Sequence, residues 1–301
     1  MSQSCPIIKL EKLLLSTDGS EFSDGAIREA INIAKICSSK LFVVSVVETN
    51  PEFEALAPQV VEKSENETRK HLESVKSRAS KEGVDCEINT YHNDQPFQSI
   101  VDDAAKKQVD MVIMGRRGRT GLKRLLMGSV TAKVIGHAPC KVLVVPRAAR
   151  IEFKNILVAT DGSRYSEAAV NEAIGIARLG RANLTAVSVV PSETKMQYEY
   201  GFIDSKIRAD LEKLAAKESP QAAENNVKII KEKAEKEGTK VKGYIVTGVP
   251  HEAIVDMAKE TNADLIIVGS HGRTGLSRLM MGSVTERVIG HADCAVLVVK
   301  C

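Results

Sequence analysis

Apolar residues follow two patterns that alternate along the chain. Short runs rich in Val, Ile and Leu are typical of buried strands, whereas apolar residues that recur every three or four positions are typical of helices. The alternation predicts an α/β fold, a parallel sheet with helices on both faces. In the first half the predicted strands are Lys12–Ser16, Leu41–Val47, Cys86–Tyr91, Asp110–Met114 and Lys141–Val145, and the predicted helices cover 22–37, 60–82, 97–107 and 129–136.

The second half of the chain repeats the first. The 31 residues from Gly115 agree with those from Gly269 at 23 positions, at an offset of 154. LLLSTDGS and ILVATDGS match at an offset of 143, so the second copy holds 11 extra residues, in a charged segment over 205–237 that Pro220 should interrupt or kink. Two domains, 1–148 and 149–301, are expected. The second set of strands is predicted at Asn155–Ala159, Leu184–Val189, Lys242–Val246, Leu265–Val268 and Ala295–Val299.

Composition argues against several classes of protein function. The formal net charge of +3 and the 4% aromatic content give no sign of a nucleic-acid surface. We find neither an apolar run long enough to span a membrane nor a signal-peptide pattern at the N-terminus. The six cysteines form no CxxC pair, and we interpret them as reduced thiols of a cytoplasmic protein.

Candidate chemistry lies at the ends of two strands in each copy. TDGS follows the first strand, and Gly-x2-Gly-x9-Gly-Ser follows the fourth, from Gly115 and again from Gly269. Parallel α/β sheets bind ligands at the carboxyl ends of their strands. The loop enters a helix at Ser129 or Ser283, where free N–H groups suit a phosphate and the hydroxyls of Ser129 and Thr131 offer further donors.

Structural alternatives stand beside this interpretation. The glycines could only form turns, with Ser129 as a helix cap, and Asp18 and Asp161 could only cap the segments after them. His137 and His291 fit helix C-termini better than catalysis. The loop is neither a Walker A loop nor a GxGxxG fingerprint.

TDGS, the glycine spacing, the following VT and the closing VLVV strand resemble the universal stress proteins, specifically a tandem member of their ATP-binding branch. The resemblance covers nearly the whole chain. It implies two Rossmann-like, flavodoxin-like domains, each a five-stranded parallel sheet in the order 3-2-1-4-5. It also implies ATP, or AMP or ADP, as the ligand, with Mg²⁺ carried by the nucleotide and no metal site built from protein alone.

The same resemblance assigns nucleotide-binding residues and no catalytic ones. The turn after strand one contacts the adenosine, the end of strand two contacts the adenine, the first glycine and its predecessor line the ribose, and the later positions hold phosphates. In copy one these are Thr17, Asp18, Val46, Met114, Gly115, Arg117, Gly118, Gly128, Ser129, Val130 and Thr131. In copy two they are Thr160, Asp161, Val189, Val268, Gly269, His271, Gly272, Gly282, Ser283, Val284 and Thr285.

Charge distinguishes the two loops. Copy one carries Arg116, Arg117, Arg119, Lys123 and Arg124, whereas copy two has Ser270 and His271 at the first two of these places and keeps Arg273 and Arg278. The hypothesis is that copy one binds polyphosphate more tightly and with a steeper salt dependence. The alternative is that these side chains point into solvent.

Three functions are compatible with these features. The favoured one is a stress-response regulator that binds an adenine nucleotide in each domain. The others are a slow ATPase or nucleotide-transferring enzyme, for which no general base is evident, and a scaffold with vestigial sites. The resemblance further implies that the last strands of the copies, Val142–Val145 and Val296–Val299, pair within the chain as a pseudo-dimer, and a homodimer of chains is compatible with it. Neither a nucleic acid nor a membrane is expected as a partner.

Overall fold

The computed structural model describes residues 5–7, 10–118, 127–192, 219–272 and 281–300. The strands of copy one are β1 Lys12–Ser16, β2 Lys40–Val47, β3 Cys86–His92, β4 Met111–Gly115 and β5 Lys141–Val145, and those of copy two are β6 Asn155–Ala159, β7 Asn183–Pro191, β8 Val241–Gly248, β9 Leu265–Gly269 and β10 Ala295–Val299. The helices in these ranges are α1 Asp24–Cys37, α2 Pro51–Leu56, α3 Pro58–Lys81, α4 Pro96–Lys107, α5 Ser129–His137, α6 Arg164–Gly180, α7 Pro220–Lys236, α8 Pro250–Glu260 and α9 Ser283–His291.

The ten strands form one sheet in the order β3-β2-β1-β4-β5-β10-β9-β6-β7-β8. Within each copy all neighbours are parallel, and the local order is 3-2-1-4-5, so the predicted fold class is confirmed. Where the copies meet, β5 and β10 pair antiparallel, with Leu143 opposite Leu297. An ion pair between Lys141 Nζ and Glu172 Oε1, 2.6 Å long, crosses the same junction.

Helices cover both faces of the sheet because successive strand residues point to opposite sides. Leu13 and Leu15 of β1 belong to one buried cluster, together with residues of α1, α3, α6 and α7. Leu14 belongs to the other, with residues of α4, α5, α8 and α9. Within the described ranges, no helix is both long enough and apolar enough to cross a membrane.

Helix boundaries differ from the predicted ones where capping residues decide them. Pro220 occupies the first position of α7, in agreement with the expectation that it interrupts the charged segment, and it follows Ser219, whose side chain accepts a hydrogen bond from the Ala222 N–H. Proline is tolerated there because the first N–H of a helix has no intrahelical partner. The short helix α2, capped by Asn50, has six residues, and fewer than two helical turns carry too little periodicity for the sequence to predict it. The part of the predicted charged segment before residue 219 lies outside the described residues.

The interpretation of all six cysteines as reduced thiols is wrong for two of them. Cys5 and Cys37 form a disulfide, with their Cα atoms 4.4 Å apart, whereas Cys86, Cys140 and Cys294 are free thiols. The two partners are 32 residues apart in sequence, and only the packing of the N-terminal segment against the end of α1 brings them together. The cytoplasmic location, which rested partly on reduced thiols, stays a prediction.

Candidate nucleotide site

Each copy brings its TDGS turn and its glycine loop together at one edge of the sheet. The turn follows β1 or β6 and the loop follows β4 or β9, and these strands are paired neighbours in both copies. Because parallel strands end at the same edge, sequence segments about a hundred residues apart become adjacent.

The aspartate of each turn uses one carboxylate oxygen to fold the turn. Asp18 Oδ1 accepts hydrogen bonds from the Ser20 N–H at 3.0 Å and the Ser20 hydroxyl at 2.7 Å. Asp161 Oδ1 accepts from the Ser163 N–H at 2.9 Å. The residue between has positive φ in both turns, 78° at Gly19 and 74° at Gly162, a conformation that favours glycine.

The second carboxylate oxygen lies against the second glycine of the loop. A Cβ on Gly118 would stand 2.9 Å from Asp18 Oδ2, and a Cβ on Gly272 would stand 2.9 Å from Asp161 Oδ2. A side chain at either glycine would therefore displace the carboxylate. The same contact recurs in both copies at the same distance, which links the two motifs of each site.

A helix N-terminus forms the far side of each site. Gly128 and Gly282 precede α5 and α9 with extended backbone, and no side chain caps either helix. Their own N–H groups donate back into the loop, from Gly128 to Arg116 O at 2.9 Å and from Gly282 to Ser270 O at 3.0 Å. Ser129 and Ser283 are exposed. The first N–H groups of both helices, including those of Val130 and Val284, thus have no intrahelical acceptor and suit an anion.

The Thr131 hydroxyl makes a hydrogen bond inside the protein. It is buried and donates to Gly115 O at 3.1 Å, as the Thr285 hydroxyl donates to Gly269 O at 2.8 Å. These bonds tie the start of the helix to the end of the strand. The structure thus gives the Thr131 hydroxyl proton to a backbone carbonyl, and a contact between Thr131 and a phosphate stays a prediction.

The threonine of each turn is also buried. Thr17 Oγ1 lies 2.8 Å from Ser23 Oγ and 3.0 Å from His71 Nε2, and it accepts from the Gly19 N–H at 3.2 Å. Thr160 Oγ1 makes the corresponding bonds to Ser166 and Gly162. These hydrogen bonds of the two threonines stabilise the TDGS turns. Sequence reasoning missed His71, because it lies on α3 and no local motif marks it.

The remaining apolar positions line the strand ends. Val46 and Val189 are half-buried near the ends of β2 and β7, and Met114 and Val268 are buried in β4 and β9. Gly115 and Gly269 follow, where a Cβ would stand 2.9 Å from Phe22 O and 2.7 Å from Tyr165 O respectively. Glycine is needed here because the chain after the TDGS turn packs directly on the strand end.

The two residues between the first and second glycines of the loop differ between the copies in both their charge and their position. Arg116 points away from its own site: its Nη1 donates to Gly290 O at 3.1 Å and to Ala292 O at 2.8 Å. Burial lowers the pKa of its guanidinium, and neighbouring Arg117 acts in the same direction. Arg116 therefore cannot be counted among the cations of site one. The other loop cations, Arg119, Lys123, Arg124, Arg273 and Arg278, lie outside the described residues.

Arg117 and His271 occupy matching places beside the glycines that precede α5 and α9. The Nε of Arg117 is buried without a hydrogen-bond partner in the structure. His271 Nδ1 lies 3.0 Å from Ser270 Oγ, and its ring packs 4.9 Å from that of Tyr165. Both residues touch the glycine that starts the helix, since a Cβ on Gly128 or Gly282 would lie 3.7 or 3.3 Å from their Cα atoms.

The matched histidines and cysteines of the two copies lie in structural positions. His137 and His291 end α5 and α9, with Nδ1 atoms 2.8 and 2.7 Å from the carbonyls of Lys133 and Arg287. Burial raises the pKa of the Cys140 and Cys294 thiols to about 11 and about 12, which disfavours a redox role. Across the described ranges, no group of three or more His, Cys, Asp or Glu side chains could hold a metal ion.

Comparison with known proteins identifies the family. The model of the Universal stress protein family matches residues 9–146 and 152–300. A universal stress protein of Methanocaldococcus jannaschii is 39% identical over 150 residues, which cover 49% of this chain and 82% of that protein. A Staphylococcus aureus relative is 38% identical over 152 residues, 50% of this chain and 86% of its own.

A solved structure extends the similarity to both copies at once. The crystal structure of a universal stress protein from Archaeoglobus fulgidus superposes with a TM-score of 0.72, covers 98% of each chain and is 22% identical. At 22% identity this similarity supports the fold alone. Membership of the family rests on the family model, which matches both repeats. The boundary between residues 148 and 149 and the nucleotide-contacting roles stay predictions. The chain belongs to the universal stress protein family, as a tandem member with two copies of the family domain.

Proposed function

We propose that each copy binds one adenine nucleotide, ATP or its AMP or ADP form, and that the chain acts as a nucleotide-dependent regulator of a stress response. One observation carries the proposal. In both copies an aspartate carboxylate oxygen lies against a glycine beside a helix N-terminus whose N-cap residue is a glycine with no side chain to cap it. A carboxylate, a close-packed glycine and open helix N–H groups at the carboxyl ends of parallel strands together suit a nucleotide.

The residues fit such a ligand chemically. The oxygen of Asp18 or Asp161 that faces the glycine would accept a hydrogen bond from the adenosine part. The N–H groups at the start of α5 or α9 would hold the phosphates, and Arg117 or His271 would add charge there. Any Mg²⁺ would bind to the phosphates, where it would offset their negative charge. The antiparallel β5–β10 junction would make the two copies an intrachain pseudo-dimer.

The direct test is to denature the purified chain, identify any released nucleotide by mass and measure its stoichiometry. We expect two binding sites per chain. The variants Ser129→Glu and Ser283→Glu each place a carboxylate at an exposed helix N-terminus, where it would repel a phosphate. Because a negative charge at this end is favourable to the helix dipole, each variant should still fold. Each variant should weaken its own site at least tenfold and leave one site intact.

The outcomes separate the three functions. Nucleotide that is retained without turnover supports the regulator. Multiple-turnover phosphate release that is lost on Asp18→Ala and Asp161→Ala supports the slow ATPase. An absence of released nucleotide, together with no thermal shift on addition of ATP, overturns the proposal in favour of a scaffold.

A further inference from the structure

Arg116 contacts both phosphate-binding helices, one with its backbone and one with its side chain. Its carbonyl accepts the N–H of Gly128 at 2.9 Å and so shapes the turn that starts α5 of copy one. Its guanidinium donates to Gly290 O and Ala292 O at the end of α9 of copy two. A single residue therefore joins the glycine loop of one site to the helix of the other.

The helix that Arg116 caps is the phosphate helix of copy two. α9 runs over Ser283–His291, about 14 Å at 1.5 Å per residue, with its N-terminus in site two and its C-terminus on Arg116. A cation at a helix C-terminus neutralises the negative end of the helix dipole and satisfies carbonyls that lack intrahelical partners. The position of α9 therefore depends on a residue of the copy-one loop.

Copy one receives the corresponding cap from a different part of the molecule. Lys300 Nζ donates to Gly136 O at 3.1 Å and to Ala138 O at 2.6 Å, the carbonyls that match Gly290 and Ala292 at the 154-residue offset. Lys300 follows β10, and the carbonyl of Val299 just before it accepts the Ser270 N–H at 2.9 Å, so the link from Lys300 to the loop of copy two runs through the backbone. The residue that matches Arg116 is Ser270, whose hydroxyl bonds within its own loop. Among the residues that the structure describes, Arg116 is the loop residue whose own side chain caps the helix of the other site.

We propose that Arg116 is a positioning residue that couples the two nucleotide sites. A nucleotide in copy one contacts the backbone of residues 116–118 and so fixes its position, and the Arg116 side chain, already bonded to the end of α9, passes this restraint to the helix that would hold phosphates in copy two. The inference rests on the proposed function. Filling one site should raise the affinity of the other about fivefold or more, and the effect is reciprocal because binding free energies are linked.

Native mass spectrometry measures this coupling in the full chain. Ser283→Glu and Ser129→Glu give the intrinsic affinities of sites one and two, and the unmodified chain gives the affinity for binding both nucleotides. The coupling factor is the two-site binding constant divided by the product of the single-site constants. We expect a factor of about five or more.

Two further variants distinguish coupling from stability. Arg116→Ser introduces the residue that copy two has at that place, and Lys300→Ser removes the matching cap from copy one. Both should lower the melting temperature similarly, since each removes one cation from a helix C-terminus. Only Arg116→Ser should bring the coupling factor to one, and Lys300→Ser should leave it unchanged.

Each result has a distinct consequence. ATP binding at both sites with a factor of one in the unmodified chain overturns the coupling alone, as does an unchanged factor in Arg116→Ser. Equal loss of coupling in Arg116→Ser and Lys300→Ser shows a general effect of domain packing and also overturns it. No ATP binding in any chain overturns the proposed function and this inference with it.

Discussion

The two candidate nucleotide sites share a backbone framework but differ in the side chains placed on it. The aspartate turn, the close contact with the second glycine and the uncapped helix recur in both copies. In the sequence repeat, Arg116 and Arg117 of copy one correspond to Ser270 and His271 of copy two. The two copies therefore retain the same backbone features and differ at the positions between them.

The structures of the two copies also change the number of cations assigned to each site. Arg116 serves the opposite domain, so the excess of positive charge predicted for site one falls by one. In the segment after each TDGS turn, copy one has Glu21, paired with Arg147, where copy two has Arg164, stacked on Tyr165. The tighter binding expected of copy one therefore depends on fewer cations than its loop contains.

The largest expected difference between the copies concerns stability. Cys37 at the end of α1 is bonded to Cys5, whereas the matching place at the end of α6 is Gly180, which Pro6 contacts. Cys37→Ser should lower the free energy of unfolding by about 3 to 4 kcal/mol, because the bond closes a loop of more than thirty residues. Urea denaturation with and without a thiol reductant measures it, with Cys86→Ser as the control. Equal stability of the two variants, or no response of the unmodified chain to reductant, would contradict the prediction.

The next difference lies in the helices after the turns. A Cβ on Gly25 of α1 would stand 2.5 Å from Pro146 O in the connection between domains, whereas α6 has Ala168 at the matching place. Gly25→Ala should cost about 2 kcal/mol by overpacking, although helix propensity alone favours alanine by about 1 kcal/mol. Ala168→Gly should lose about that propensity term. Denaturant titration checks the sign, and a stabilised Gly25→Ala chain would rule out the close packing.

The aspartates should behave alike in the two copies. Asp18→Asn and Asp161→Asn keep the oxygen that accepts the turn N–H and replace the oxygen that faces the glycine. Each should weaken nucleotide binding at its own site about tenfold, since a hydrogen bond to a charged group is lost. Calorimetric titration of chains with the other site disabled measures this. Losses that differ greatly between the copies would refute the shared geometry.

The smallest expected effect tests the charge difference. Arg117→His and His271→Arg exchange the residues that touch the helix-starting glycine. Affinity for ATP at low salt should fall about threefold at site one and rise about threefold at site two, and the change should shrink at high salt. The same titrations at two salt concentrations measure it. An unchanged affinity in both variants would mean that these side chains face solvent.

The sequence by itself determined the fold class and the composition of the sites. Apolar runs such as Leu13–Leu15 predicted strands buried on both faces, and the repeat placed an aspartate turn and a glycine loop at the same sheet edge in each copy. These features are local or periodic, so they can be read along the chain. The glycine spacing also located Gly118 and Gly272, which the structure places against the aspartates.

Only the tertiary structure decided the contacts between distant segments. The sequence position of Arg116 assigns it to the loop of site one, but its long side chain reaches carbonyls more than 170 residues away. No spacing in the sequence predicts the bond between Cys5 and Cys37, and His71 and Lys300 belong to no motif. Pairing of this kind depends on how helices and chain ends pack in three dimensions, and hydrophobic periodicity carries no information about it.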